Sequence, residues 1–552
     1  MNFLRLLPAC IAAAFTSSFA VLDLPSAQPK VDASYWNAAL DSTWQGLIRR
    51  NIQPYSNGAG LIHRPKSERP GDAVSEGVGY GMIVALYSND QDHFNKMWEA
   101  ANEKMWNGSF HDWHMLADGN IPNGPDEYGT GAATDAEEDI ALALIFADKL
   151  VSSGKWQDYT SSKLQKSYAE QAQVILDKMW ESKQIRSEGV VAPGADWGGY
   201  DFVNPGYFSP AWYKVFAKFD KNDSARWTKA VDKSYEIISK SPGYSMGMVP
   251  DWMTPEGGWV NDGLGYNAYF DSRAFFKDAI RILWRTAIDA VWFDESRAKD
   301  FLKNALKFIN EKGGPSASNF YQIENAGALL PAEDKWMEFN DEKDSTTWRY
   351  RTEHSHLTVG MWATAAMAVG EAADRIAFSE EMAKFYEGGD YFGNAVDPTG
   401  GVEDTLHNEM YFDQFLAWFG TSLMSGVFVN VVDAIDNPKA ATPGDSSSLT
   451  KIPEPPIDTT KKDTVNNDSI PKDAIFNRAA TIAHGIHMID MGSSMLFSME
   501  EHANWKIFDM NGHMIASASG KNFAWNTRSQ KGIFLVKASS RSGVYMRKVI
   551  AK

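Results

Sequence analysis

The stretch Thr134-Asp135-Ala136-Glu137-Glu138-Asp139-Ile140-Ala141-Leu142-Ala143-Leu144-Ile145-Phe146-Ala147-Asp148-Lys149-Leu150 opens on acids and continues as apolar residues at helical spacing. Thr134 with Glu137 three residues on fits a capping box that would start the helix. Segments of the same kind recur near 32–50, 78–88, 91–106, 163–182, 209–219, 224–240, 278–292, 297–312, 355–374, 377–387 and 409–425. Loops rich in Gly, Pro, Asn and Trp separate them, and strand-like alternation is sparse. Residues 30–433 are therefore expected to form one all-α body of about a dozen helices.

A second stretch, Ser75-Glu76-Gly77-Val78-Gly79-Tyr80-Gly81, also sets a carboxylate at the start of an expected helix, among three glycines. Glycine permits close approach of backbone or ligand, so Glu76 is expected to face a groove. A helix N-terminal acid stabilised by the macrodipole explains the same pattern. The chain has 552 residues and a net charge of −18, which argues against nucleic acid as partner because phosphate binding needs a basic surface. The 20 tryptophans and 20 tyrosines can stack on sugar rings, but they also fill cores. Two placed carboxylates in an acidic, tryptophan-rich chain point to acid/base work on a sugar polymer.

Residues 1–20 read as a signal peptide, with Arg5 in the n-region, Leu6 to Phe15 as the apolar run and Ser17-Ser18-Phe19-Ala20 as the cleavage site. A bacterial chain exported to the medium or the cell surface is expected. Cys10 is the only cysteine, which leaves the mature chain without disulfides or thiol chemistry. From 436 to 474 the composition turns to Pro, Ser, Thr, Asp and Lys, too polar to pack, and reads as a linker. Residues 475–552 change again. Trp505 to Ile515 reads as strand, Asn-Gly turn and strand, and 531–537 and 544–550 as two more strands. A small β-sandwich module is expected there.

Further motifs follow in order: Gly131 to Ala141, Asp196-Trp197-Gly198-Gly199, Val203-Asn204-Pro205-Gly206-Tyr207-Phe208-Ser209-Pro210, Val249-Pro250-Asp251-Trp252, and Lys277-Asp278-Ala279-Ile280-Arg281 through Asp289. With Ser75 to Met82, this series resembles glycoside hydrolase family 8, and within it the clostridial endo-β-1,4-glucanases. The resemblance implies an (α/α)6 barrel and an inverting hydrolase of β-1,4-linked polysaccharide, needing no cofactor and no metal. Glu76 would be the general acid, Asp278 the base that activates water, and Asp135 the group that holds the distorted sugar ring by its hydroxyls. Arg281 would neighbour the base. An i,i+3 helix pair of Asp278 and Arg281 is compatible with that role. Asp271 has the same D-x-R spacing, and only Trp284-Arg285-Thr286-Ala287 fixes the register on Asp278.

Trp113 and Trp197 match sugar-stacking positions, and Tyr207 and Tyr411 are expected in the groove. Trp252, Trp284 and Trp292 are expected in the core. His111, His114, His354 and His356 have poor spacing for metal ligation. Three departures from the family stand out: Glu137 in place of an Asp, Lys277 in place of an aromatic residue before the base, and Leu283 in place of Gly or Pro. Glu137 fits a cap variation. Lys277 would lower the pKa of the base if it turned toward it, and would do nothing if it pointed to solvent.

The C-terminal module resembles sorting domains of secreted bacterial enzymes. Carbohydrate binding and a purely structural cap are the other readings, so its partner is either secretion or cell-surface machinery or a glycan. A monomer is expected. The carboxylates do not separate cellulose or β-glucan from xylan, so an endo-xylanase is the second enzyme reading. A non-catalytic glycan-binding scaffold or a surface adhesion protein completes the alternatives.

Overall fold

In the computed structural model the chain divides into two units, Met1–Asp458 and Thr459–Lys552. The structure describes residues 21–52, 57–65, 69–124, 127–195, 197–260, 272–324, 326–329, 354–386, 389–393, 411–447 and 449 of the first unit, and five strands between 487 and 551 of the second. The expected signal peptide and Asp271 lie outside the described residues.

The described helices are α1 (Ala33–Leu47), α2 (Ser75–Tyr87), α3 (Gln91–Lys104), α4 (Thr134–Ser152), α5 (Tyr168–Glu181), α6 (Pro210–Phe219), α7 (Ser224–Ser239), α8 (Arg281–Phe293), α9 (Ser296–Lys312), α10 (His356–Val369), α11 (Ala372–Ala383), α12 (Tyr411–Ser425) and the short α13 (Val431–Asp436). Helices α2, α4, α6, α8, α10 and α12 pack each on the next, and α12 returns to α2, closing a ring. Outside it, α3 packs on α2, α5 on α4, α7 on α6, α9 on α8, α11 on α10 and α1 on α12. This fits the expected (α/α)6 barrel. The burial pattern gives the reason. Twelve of the thirteen residues of α2 are buried, as are His356 to Met367 of α10. A helix apolar all round belongs inside, whereas α3, α7 and α9 bury one stripe each.

The glycines of the second motif serve this packing rather than a ligand. A Cβ on Gly79 would stand 2.8 Å from Asp139 Cβ on α4, and one on Gly81 would stand 2.5 Å from Met97 Sδ on α3. The expected capping box at Thr134 is not formed. Thr134 is the first helical residue, the cap position falls on Ala133 without a side-chain bond, and Glu137 turns away to bond His111. Eight tryptophans went fully into the core of the barrel: Trp36, Trp44, Trp98, Trp212, Trp227, Trp284, Trp362 and Trp418.

Part of the stretch read as linker lies along the barrel. Residues 442–447 run beside 26–32. Thr442 Oγ1 donates to Ala27 O at 2.8 Å, Asp445 N–H to Lys30 O at 2.9 Å, and Ser447 Oγ to Asp32 Oδ2 at 2.8 Å. Arg375 Nε donates to Asp445 Oδ2 at 2.5 Å. Composition alone gave no sign of this, because backbone groups and polar side chains make the bonds.

The described strands of the second unit form one five-stranded antiparallel sheet. Its strands are β1 (His487–Asp490), β2 (Ser494–Asp509), β3 (Met514–Asn526), β4 (Gly532–Ser540) and β5 (Val544–Ala551). Strand β2 pairs with β3 along its length. Its other edge takes β1 at residues 495–498 and β4 at 503–509. A register shift between Ser498 and Ala503 separates the two halves, as a bulge does. Met495, Phe497, Trp505, Ile507, Phe523, Trp525, Phe534, Val536, Ala538 and Val549 form its core, and Trp525 meets Phe534 edge-on at 4.9 Å.

Candidate active site

The first turns of the inner helices carry the expected site residues to one place. Glu76 is the second residue of α2, Asp135 the second of α4, Arg281 the first of α8 and Tyr411 the first of α12. Tyr207 ends a short 3-10 turn, Pro205–Tyr207, just before α6. Because these residues touch one another, the N-termini of these inner helices converge at one end of the barrel. Their partial positive charge favours anions there.

Arg281 is the hub and is 1% exposed. Its Nη1 donates to Glu76 Oε2 and, at 3.0 Å, to Asp135 Oδ2. Its Nη2 donates to Asp278 Oδ1 at 2.8 Å, and its Nε to the carbonyl of Asp278 at 3.1 Å. Its guanidinium lies 4.9 Å from the centre of the Tyr207 ring. Tyr411 OH donates to Glu76 Oε1, and Tyr80 OH lies 3.5 Å from Oε2 of the same carboxylate. One cation thus serves three acids. Asp135 is the most enclosed of them, 1% exposed against 17% for Glu76 and 36% for Asp278. Burial pushes Asp135 up to about 8, helped by Glu76 and opposed by Arg281. Burial and then the nearby carboxylates also push Tyr207 and Tyr411 well above the usual phenol range.

Lys277 is exposed, and its Nζ lies 6.0 Å from the Phe276 ring centre. The cation on Asp278 is Arg281 rather than its chain neighbour. Asn204 is a site residue that sequence reading did not single out. Its Nδ2 donates to Asp278 Oδ2 at 3.0 Å. Its only signal was its place three residues before Tyr207 in the same motif.

Trp113 and Trp197 are 38% and 43% exposed, in contrast to the buried tryptophans of the core. They line one groove of about 630 Å³ with Phe110, Gly131, Ala132 and Ala195. The groove is tied to the acids through the backbone. The carbonyl of Trp113 accepts from the N–H of Ser75, the residue before Glu76, at 2.9 Å. Trp252 is 7% exposed and packs on Trp197 with ring centres 5.1 Å apart. Of the histidines considered as ligands, His111 bonds Glu137, His114 bonds Asp72 and His354 bonds Glu381, all at 2.8–2.9 Å. His356 Nε2 lies 3.4 Å from Gln414 Nε2. Among the described residues no group of three His, Cys, Asp or Glu could hold a metal ion.

A closed helical ring with acids and exposed indoles at one end defines a class of carbohydrate-active barrels, and comparison agrees. Residues 53–326 match the model of glycosyl hydrolases family 8. Endoglucanase A of Acetivibrio thermocellus is 35% identical over 294 residues, covering 52% of this chain and 57% of that protein. Endoglucanase 2 of Ruminiclostridium josui is 32% identical over 364 residues, covering 65% of this chain and 69% of that protein. Rex8A of Paenibacillus barcinonensis, solved as a mutant complexed with xylose, superposes with a TM-score of 0.54 at 21% identity, over 71% of this chain and 93% of that one. The chain belongs to glycosyl hydrolases family 8. Its matched segment spans little more than half the length of endoglucanase A.

Proposed function

We propose that this chain is a secreted endo-acting hydrolase of β-1,4-linked glucan that inverts the anomeric centre. The observation that carries the reading is the distribution of acids on Arg281. Glu76 and Asp278 sit on different nitrogens of one guanidinium, and Asp135 shares Nη1 with Glu76. Inversion needs an acid to protonate the leaving oxygen and a separate base for water on the opposite face of the ring. Glu76 serves as the acid and Asp278 as the base. Asp135, buried beside Arg281, offers hydrogen bonds to the hydroxyls of the ring at the cleavage point. Trp113 and Trp197 stack on sugars along the groove, while Tyr207 lies against Arg281 and Tyr411 bonds Glu76.

The glucan assignment follows the relatives named endoglucanase, at 35% and 32% identity. The relatives named reducing-end xylose-releasing exo-oligoxylanase reach 26%, and they support xylan as the second reading. Secretion rests on residues 1–20, and the C-terminal sheet is assigned to sorting or to glycan binding. The test is reducing-end release from carboxymethylcellulose, barley β-glucan and xylan side by side. Higher kcat/KM on the glucans is expected. Preference for xylan by about tenfold or more would overturn the substrate and leave the hydrolase standing. No release from any of the three would overturn the enzyme.

A further inference from the structure

The turn that presents Asp278 is braced by residues that come from elsewhere in the chain. Asp251 is buried, and its Oδ1 accepts from the N–H groups of Phe276 at 3.1 Å and Ala279 at 2.9 Å, on either side of Asp278. Asn204 is 1% exposed and donates from Nδ2 to Asp278 Oδ2 at 3.0 Å. Its amide cannot be reversed without loss, because Oδ1 accepts from the Gly206 N–H at 3.0 Å and an NH2 there would leave that donor unpaired. The Gly206 backbone presses so closely on the turn that a Cβ would stand 2.0 Å from the Asp278 carbonyl oxygen. Val203 and Met253 exchange backbone bonds at 2.8 and 3.2 Å, which ties the segment of Asn204 to that of Asp251. With Arg281 on Oδ1, both oxygens of Asp278 are engaged and its rotamer is set from two sides.

We propose that Asn204 is a positioning residue for Asp278, held in register by Asp251. The role rests on Asp278 acting as the base. Asn204 does not touch the sugar; it fixes the direction in which the carboxylate meets the attacking water. A base displaced by about 1 Å can cost on the order of 10²-fold in rate.

The test is Asn204→Asp in the full chain. It keeps the oxygen that caps Gly206, removes the donor to Asp278 and places a second carboxylate beside it. On barley β-glucan kcat should fall by about 10- to 100-fold, with KM within about twofold. The acid limb of kcat/KM should move to higher pH, because the ionised carboxylate loses a donor and gains a like charge beside it. Asp251→Asn, which retains an acceptor oxygen for Phe276 and Ala279, should restore most of what Asp251→Ala loses. Asp278→Ala is run in parallel. If it stays active, the base assignment falls and the inference with it. If it is inactive while Asn204→Asp keeps the wild-type kcat and acid limb, the base stands and the positioning role is refuted.

Discussion

Two arginines one helical turn apart on α8 meet two acids one turn apart on α4, with opposite results. Among the described residues Arg285 forms an ion pair with Asp139 alone, through both oxygens at 2.5 and 2.8 Å, and Trp212 Nε1 adds a third bond at 2.7 Å. Both partners are 0% exposed, sealed by Trp284 and Trp212. Arg281, at the end of the ring, divides its donors among Glu76, Asp135 and Asp278, the last of them open to solvent. The deeper layer balances one charge with one charge and is built to stay. The upper layer holds more acid than cation and leaves carboxylate lone pairs for something else to bond. Residue type does not separate structure from chemistry here; charge balance and access do.

The contrast can first be broken at Glu76. Glu76→Gln should lower kcat on polysaccharide by about 10²–10⁴ with little change in Tm. An aryl glycoside with a good leaving group should suffer less, and equal loss on both substrates would make Glu76 a positioning residue.

Asp135 sharpens it through pH. Burial holds Asp135, and Glu138 beside it, up to about 8 in the folded chain, against about 4 for an exposed carboxyl. Between those values the folded state binds more protons than the unfolded one. Their contribution to stability is complete below about pH 4 and is lost as pH rises through about 8. Thermal melts from pH 5 to 8 should therefore decline with pH, and Asp135→Asn should flatten the decline in part, since Glu138 still titrates. An unchanged slope in that variant would mean that Asp135 is ionised when folded.

Away from both layers the effects shrink. A chain ending at residue 449 should keep the Tm of the full-length barrel. One ending at 436 loses the bonds of Asp445 and Ser447 to Arg375 and Asp32, each worth about 1 kcal/mol, and should melt a few degrees lower. Equal melting of the two would show that the 442–447 segment contributes nothing. Trp113→Ala should raise KM by a few fold, for about 1 kcal/mol of lost stacking, and lower kcat less, because ground and transition states share that contact.

Much of this was legible in the sequence because it is local. Helical spacing located the twelve helices of the two rings to within about five residues but did not mark the short α13, and Glu76, Asp135 and Arg281 lie in first turns that the motifs mark. What was not legible depends on partners distant in the chain. Glu137 looked like a cap and instead bonds His111, 26 residues away. Asn204 reaches Asp278 across 74 residues, and Asp251 holds the same turn from 25 and 28 residues away. The glycines around Glu76 suggested a ligand, but close helix packing needs the same absence of a side chain. The first half of β2 is placed by its pairing with β1 and β3, across a register shift from the half that carries Trp505, and was missed for that reason.

The central claim is that the layer around Arg281 performs chemistry and the layer around Arg285 holds the fold. It is tested most directly by Asp135→Asn and Asp139→Asn, the same substitution one turn apart, with kcat/KM and Tm measured on both. Asp135→Asn should lose about 10²-fold or more in kcat/KM and should not lower its Tm. Asp139→Asn should keep kcat/KM within a few fold and lose about 3–5 kcal/mol of stability, because Arg285 is left buried without its counter-charge. An active Asp135→Asn together with a stable, inactive Asp139→Asn would contradict the account.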